Sequence, residues 1–317
     1  MSCLYPLTAF DTGLLTPSGK RKISFKPPRL PFQVHTWESI VVPCGKCQGC
    51  LADRRKEWVN RMMCELFSVG SSTFITLTFN DLNCPSSLRK SDLQKFFKRL
   101  RHAPRDFGVS SFNLRYFACG EYGSKSHRPH YHAILFGVDM LNDSSWRTYI
   151  SGVTNGHPRF SSSVLEKIWP FGFNVVGDCN YNSVRYVSKY ISKQYLSKSV
   201  DVVPPFTLKS IGLGRSLFLD ARRNGRKWSY SLHDDFKDRF TSGFIVLPSI
   251  NGFTRVGLPR VLDDYAERLA PLLYDSVKAS RKAFLANFHD DRSPLCRASF
   301  MDYLNKNEKQ KGELDND

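Results

Sequence analysis

The segment HRPHYHAILFG, residues 127–137, decides the fold expected for this chain. Its two histidines, His130 and His132, precede an apolar run, and alternate side chains of a β-strand point to the same face. The segment therefore predicts a strand that carries both imidazoles beside Ile134 and Phe136. The residues between them face the opposite side: Tyr131, Ala133 and Leu135. Alone, such a pair is more typical of hydrogen-bonded structural histidines than of a metal site.

Strands and helices are predicted on both sides of this segment. Alternating β-branched and aromatic residues predict three further strands, at residues 73–81, 114–119 and 173–177. Apolar residues at helical spacing predict four helices, at residues 51–67, 91–101, 161–170 and 183–196. The pattern indicates an α+β fold in which helices pack on a central antiparallel sheet of about five strands.

The chain is expected to divide into four parts. Residues 1–70 form a Cys-rich N-terminal segment, with about forty residues of loop and one short strand, followed by a basic helix. Residues 71–200 form the α+β domain, and residues 201–306 an accessory region. The last residues, 307–317, are polar enough to be disordered.

The charge balance favours a nucleic-acid partner. Lys and Arg number 46 against 29 Asp and Glu, a formal net charge of +17, which suits a polyanion. Candidate phosphate contacts lie on two predicted helices: Arg54, Arg55, Lys95, Lys98, Arg99 and Arg101. The apolar residues of the second helix have core spacing: Leu93, Phe96, Phe97 and Leu100. No apolar run is long enough for a membrane span or a signal peptide, so we expect a cytoplasmic protein.

A tyrosine pair lies on the predicted helix 183–196. Tyr186, Tyr190 and Lys193 fall at i, i+4 and i+7 and therefore share one face. Both rings packing on the sheet is the structural alternative. A tyrosine hydroxyl can also attack a phosphodiester, although a phenol with a pKa of about 10 needs activation. Lys193 would supply a cation for this, and the histidine pair a metal ion.

The histidine pair needs a third ligand to hold a hard divalent ion, and an oxygen donor suits Mg²⁺ or Mn²⁺. Glu121, in GEYG just upstream, lies on or beside the neighbouring predicted strand. An ordinary surface carboxylate at a turn is the alternative. Thr76 and Thr78 share a strand face that could border the site.

The cysteines form a second candidate metal site. Nine cysteines in a reducing compartment argue against a disulfide framework. Cys44, Cys47 and Cys50 offer three thiolates, whereas tetrahedral zinc takes four. Cys3 and Cys64 are both available, and Cys64 is more typical of a small buried hydrophobe. An iron–sulfur cluster and reduced free thiols remain alternatives.

Three motifs in order, TFITLTFND, GEYGSKSHRPHYHAILFG and YVSKYISK, resemble those of HUH endonucleases of the two-tyrosine class, which initiate rolling-circle DNA replication. The chain is most similar to replication initiators of microviruses, particularly the gokushovirus branch. Four further segments carry that similarity: MSCLYPLTAF, VPCGKCQGC, IWPFGF and PPFTLKSIGLGR. It covers roughly residues 1–215, while LPRVLDD at 258–264 matches only loosely.

The resemblance implies a metal-dependent endonuclease and strand transferase. His130, His132 and Glu121 would bind Mg²⁺ or Mn²⁺, Tyr186 or Tyr190 would attack, and Lys193 would assist. Cys3 would complete a structural zinc site.

The implied reaction nicks a single-stranded or locally melted phage origin through a 5′-phosphotyrosine and rejoins the ends to release circles. Because the chain shows no nucleotide-binding P-loop, helicase and polymerase would come from the bacterial host. The alternatives are a relaxase or transposase of the same superfamily, a non-cutting DNA-binding regulator, and an RNA-binding protein.

Overall fold

A computed structural model of the protein describes residues 3–17, 21–29, 37–124, 126–154, 156–196, 202–215, 241–249, 252–263, 267 and 271–287. The chain divides into two compact units: residues 1–54 with 290–317, and residues 55–289. The tail predicted at 307–317 and much of the predicted accessory region lie outside the described residues. The four-part division stays a prediction.

The first unit contains a three-stranded antiparallel sheet of order β2-β1-β3. The strands are β1 (Leu7–Leu15), β2 (Arg21–Ser24) and β3 (Glu38–Val42). The expectation of mostly loop with one short strand was therefore wrong. In β1 only Ala9 and Asp11 are buried while its three leucines are exposed, so the strand lacks the apolar alternation by which a sequence signals a strand.

The second unit is built on a seven-stranded antiparallel sheet, which confirms the predicted fold class with more strands than expected. Its strand order is β10-β5-β6-β4-β9-β8-β7. The strands are β4 (Ser72–Thr78), β5 (Arg115–Tyr122), β6 (Pro129–Phe136), β7 (Thr148–Thr154), β8 (His157–Ser162), β9 (Asn174–Asp178) and β10 (Phe206–Lys209). A separate hairpin pairs β11 (Phe244–Ser249) with β12 (Gly252–Gly257).

Five helices and two short 3₁₀ turns complete the described structure. The helices are α1 (Gln48–Val69), α2 (Lys90–Phe107), α3 (Ser163–Ile168), α4 (Tyr181–Leu196) and α5 (Pro271–Asn287). The 3₁₀ turns are Ser144–Trp146 and Arg260–Leu262. Among the helices that the structure describes, none combines the length and apolarity needed to cross a bilayer.

Apolar side chains cover both faces of the large sheet, and β6 contributes to each. Tyr131, Ala133 and Leu135 join the core that packs against α2 and α3. Ile134 and Phe136 join the other core, against α1 and α4. The apolar residues predicted on α2 are all buried in the first of these cores: Leu93, Phe96, Phe97 and Leu100. The two histidines of β6 therefore belong to the face covered by α1 and α4.

Gly172, in the WPFGF segment, allows two stretches of backbone to meet. Phe173 and Thr78 exchange backbone hydrogen bonds of 2.9 and 3.1 Å. A Cβ atom on Gly172 would lie 2.3 Å from the Thr78 carbonyl oxygen and 2.5 Å from the Asn80 nitrogen. Only glycine permits this approach, which ties the segment to the end of β4.

The GLGR segment holds helix α1 through its backbone. The Gly214 N–H donates to Glu65 Oε2 at 2.7 Å, and Arg61 Nε donates to the Leu213 carbonyl at 2.9 Å. Glu65 is fully buried and pairs with Arg115 on β5. Gly214 has a φ of +84°, and a Cβ there would lie 2.8 Å from the Arg61 carbonyl oxygen. The segment thus anchors α1 beside the sheet.

Candidate metal centre and tyrosine pair

The register of three central strands gathers the candidate metal ligands. β6 lies between β5 and β4, and His130 pairs with Glu121 on β5, while His132 pairs with Thr76 on β4. Directly paired residues of an antiparallel sheet share a face. Glu121, both histidines and Thr76 therefore project to the same side.

The three candidate ligand side chains converge on one point. Glu121 Oε1 lies 3.1 Å from His130 Nε2 and 2.9 Å from His132 Nε2. One ligand atom from each residue falls within 4.8 Å of the others. Glu121 and His132 are buried, whereas His130 is half-buried. Such a compact set of two nitrogens and one oxygen fits a divalent ion with positions left for substrate or water.

The outer ring nitrogens of both histidines have partners that suit metal binding. His130 Nδ1 lies 3.2 Å from the Arg128 carbonyl oxygen, and His132 Nδ1 lies 2.8 Å from Thr76 Oγ1. A carbonyl only accepts, so Nδ1 of His130 carries the proton and Nε2 keeps a lone pair. Such outer hydrogen bonds orient ligating histidines and fix their tautomer.

The Glu121 carboxyl is ionised in this setting. Burial alone would raise its pKa, but hydrogen bonds with His130, His132 and Tyr190 outweigh burial and hold the pKa of Glu121 well below its ordinary value. An ionised carboxylate is the form that binds a metal ion.

Helix α4 places both tyrosines beside His132. Tyr186 Oη lies 3.3 Å from His132 Nε2. The Tyr190 ring stacks on the His132 ring at 6.0 Å between centroids, and the two tyrosine rings are 5.6 Å apart. Tyr190 is only 3% exposed and Tyr186 is half-buried. Burial, followed by the Glu121 charge, raises the pKa of Tyr190 far above its ordinary value.

The cation that the structure describes near the tyrosines is not the expected one. The side chain of Lys193 lies outside the described residues. Lys189 instead places Nζ 5.6 Å from the Tyr186 ring centroid. Its position three residues after Tyr186 was the available signal, because i and i+3 are neighbours on a helix.

Sequence reasoning also missed two side chains that shape the site. Phe74 stacks on His132 at 5.7 Å and meets Tyr186 edge-on at 6.1 Å. Its position two residues before Thr76 puts it on the same strand face. Arg128 donates from Nη2 to the Phe79 carbonyl at 3.0 Å, which ties the start of β6 to the end of β4.

The basic residues predicted on α2 do not lie with the metal centre. Helix α2 packs on the sheet face opposite His130 and His132. Lys95, Lys98 and Arg101 are exposed there, whereas Arg99 Nε donates to the Ile168 carbonyl at 2.8 Å. Their DNA contacts stay predictions, as do those of the half-buried Arg54 and Arg55 on α1.

The cysteines separate as the alternatives allowed. Cys3, Cys44, Cys47 and Cys50 come together in the first unit. Cys64 is fully buried in the apolar core between α1, α4 and the large sheet, where it packs as a small hydrophobe.

Comparison with known proteins assigns the central region. Residues 72–195 match the family model of the replication-associated proteins of the ORF2 type. This region belongs to that family. It contains Glu121, both histidines of β6 and both tyrosines of α4.

Whole-chain relatives point the same way. The chain is 26% identical to the replication-associated protein ORF2 of Spiroplasma virus 4, over 85% of this chain and 82% of that protein. It is also 26% identical to the replication-associated protein VP4 of Bdellovibrio phage phiMH2K, over 84% and 81%. For the replication-associated protein ORF4 of Chlamydia phage 1, 26% identity extends over 73% of this chain and 55% of that protein. The predicted resemblance to microvirus replication initiators is confirmed. No solved structure matches the chain.

Proposed function

We propose that this protein initiates replication of a phage genome by cutting one DNA strand at an origin through a tyrosine and later rejoining it. The observation that carries this proposal is the position of Tyr186 Oη, 3.3 Å from Nε2 of His132, a residue of the candidate metal centre. A nucleophile beside a metal-competent cluster is what tyrosine-based strand cleavage needs.

The reaction exchanges one phosphodiester for another. The tyrosine oxygen attacks the phosphorus, the bond from phosphorus to the 3′-oxygen breaks, and the leaving oxygen takes up a proton while the phenol loses one. The 5′ end becomes a phosphotyrosine, and no water or nucleotide is consumed. A bound Mg²⁺ or Mn²⁺ would polarise a non-bridging phosphate oxygen and stabilise the developing charge.

The surrounding side chains of this chain position and charge the site. Thr76 and the Arg128 carbonyl hold the two imidazoles so that both Nε2 atoms face Glu121. Phe74 limits the movement of His132 and Tyr186 by packing on both rings. Lys189 adds positive charge beside Tyr186, which favours an anionic phosphate there.

The second tyrosine supplies a second transfer. Tyr190 lies one helical turn from Tyr186, with 5.6 Å between ring centroids. After the copied origin re-forms, one tyrosine can hold the first 5′ end while the other attacks the new junction. The released 3′-hydroxyl then displaces the first phosphotyrosine and closes a circle. A host helicase and polymerase would carry the intervening synthesis.

The test is formation of a covalent DNA–protein adduct. The full chain is incubated with single-stranded DNA carrying candidate origin sequences and Mg²⁺ or Mn²⁺, and the products are separated by denaturing electrophoresis. Tyr186→Phe, Tyr190→Phe and their double variant are compared with Tyr181→Phe, a half-buried tyrosine of the same helix.

A metal-dependent adduct that is lost in the double variant and retained in Tyr181→Phe would support the proposal. An adduct that persists in the double variant would overturn the assignment of the nucleophiles. Tight binding without any adduct would instead indicate a DNA-binding regulator that does not cut.

A further inference from the structure

We propose that Cys3, Cys44, Cys47 and Cys50 bind one structural Zn²⁺ ion, separate from the site at Glu121. These side chains come from two distant stretches of the first unit, yet their sulfur atoms all lie within 4.8 Å of one another. This proposal does not depend on strand cleavage, and it concerns how the N-terminal unit is held together.

The sulfur spacing matches a tetrahedral metal site. Cys44 Sγ lies 3.9 Å from Cys50 Sγ, and Cys47 Sγ lies 3.9 Å from Cys3 Sγ. A tetrahedron with Zn–S bonds of about 2.3 Å has edges of about 3.8 Å. Disulfide bonds would require sulfur atoms about 2.05 Å apart, so the four cysteines are free thiols arranged as a ligand set.

Backbone N–H groups support the sulfur atoms from outside the cluster. The N–H of Cys44 donates to Cys3 Sγ at 3.2 Å, and the N–H of Leu4 donates to Cys47 Sγ at 3.3 Å. The N–H of Cys47 points to Cys44 Sγ at 3.4 Å. Such donors stabilise thiolates and orient them toward a common centre, as outer hydrogen bonds do at metal sites.

The ligand type selects the metal and its role. Four soft sulfur donors favour zinc over magnesium or manganese. Four protein ligands also complete the tetrahedron and leave no position for water or substrate, which is the pattern of structural zinc. The cluster at Glu121, with three ligands of nitrogen and oxygen, has the opposite character.

The first unit has little else to hold it together. Among its described residues the buried apolar side chains number five: Cys3, Leu4, Ala9, Cys50 and Leu51. Two of these are proposed ligands. Many apolar residues of its sheet are exposed, including Leu7, Leu14, Leu15 and Ile23. A unit with so small a core commonly needs a metal ion or a covalent link to fold stably.

The ligand positions show what the ion would connect. Cys3 precedes β1, Cys44 and Cys47 lie in the loop that follows β3, and Cys50 lies in the first turn of α1. One ion would therefore join both ends of the three-stranded sheet to the start of α1. Metal binding would then be coupled to folding of this unit.

The test measures metal content and ligand type in the full chain. The protein is purified under reducing conditions, and zinc is quantified by mass spectrometry of the elements. The bound metal is then replaced by Co²⁺, whose absorption reports thiolate ligands and tetrahedral geometry directly. Cys47→Ser is compared with Cys84→Ser, a half-buried cysteine outside the cluster, and with His132→Ala.

We expect one zinc ion per chain and thiolate-to-cobalt absorption in the wild type, Cys84→Ser and His132→Ala. Cys47→Ser should lose both signals, and if it fails to fold, the wild-type cobalt spectrum still decides. Absence of zinc and of thiolate absorption in the wild type would overturn the proposal. So would zinc that survives Cys47→Ser but is lost in His132→Ala, or iron and sulfide in place of zinc.

Discussion

The two clusters of metal-binding side chains differ in what holds them in place. Glu121, His130 and His132 project from the central strands of a seven-stranded sheet whose faces are both covered by buried apolar side chains. The four N-terminal cysteines lie in an arm, a loop and a helix start beside a small, exposed sheet. The first cluster is positioned by a completed fold, whereas the second is proposed to complete one.

This difference explains why the two sites suit different tasks. Ligands held by a packed core can leave metal positions open for a phosphate without losing their arrangement. Ligands on loops need the ion itself to fix their positions, and so use all four bonds. Four experiments break or sharpen the comparison.

The largest effect is expected from His132→Ala. This change removes a ligand and the partner of Tyr186 Oη, so adduct formation should fall by more than about a hundredfold, since even outer-shell changes cost about 10- to 100-fold. The rate is measured by denaturing electrophoresis over time. His157→Ala, at an exposed position on β8, should keep the wild-type rate. Equal rates in the two variants would show that His132 is not a ligand.

Gly172→Ala tests the claim that packing holds the cluster at Glu121. The new methyl group would meet the Thr78 carbonyl oxygen at 2.3 Å, and such overpacking costs about 1–3 kcal/mol or more. Urea unfolding should show lower stability, while zinc content stays unchanged. In Gly177→Ala the methyl would lie 3.8 Å from Phe74, so a much smaller loss is expected. Equal losses would remove the argument from close approach.

Thr76→Val removes the hydroxyl beside His132 Nδ1 and preserves side-chain shape. The metal concentration for half-maximal adduct formation should rise by about tenfold, because outer-shell partners tune ligand orientation. The rate at saturating metal should largely recover. Thr78→Val is the control, since Thr78 Oγ1 donates to the Phe173 carbonyl. An unchanged metal requirement in Thr76→Val would contradict the role given to this hydrogen bond.

The smallest effect separates the two tyrosines. Tyr186 is half-buried and Tyr190 is only 3% exposed, so incoming DNA reaches Tyr186 more readily. Tyr186→Phe should therefore slow the first cleavage a few-fold more than Tyr190→Phe does. Initial rates on a single-origin substrate measure this. A larger loss in Tyr190→Phe would reverse the order of use.

Elements with strong local patterns could be predicted from the sequence. Strand β6 alternates between two apolar faces, and helix α2 has buried residues at regular helical spacing, so both were expected near their observed positions. The side-by-side position of His130 and His132 follows from the same period of two.

Other elements depend on pairing partners distant in sequence. Strand β7 exposes Tyr149, Ile150 and Val153, which hides the usual strand pattern. Strand β10 pairs with β5 across a long separation. Register also places Glu121 opposite His130, and no local pattern in the sequence specifies it. The choice of Lys193 over Lys189 rested on helical spacing, which could not distinguish them.

The central position of β6 makes correct assembly and activity inseparable. Deleting one residue early in this strand would turn both imidazoles toward the core against α2, because side chains alternate with a period of two. A chain that paired its strands wrongly would thus bury polar rings in apolar surroundings and lose its cutting centre at once. Misassembled copies would be inert toward DNA, so the sheet acts as a safeguard against stray breaks in the host chromosome.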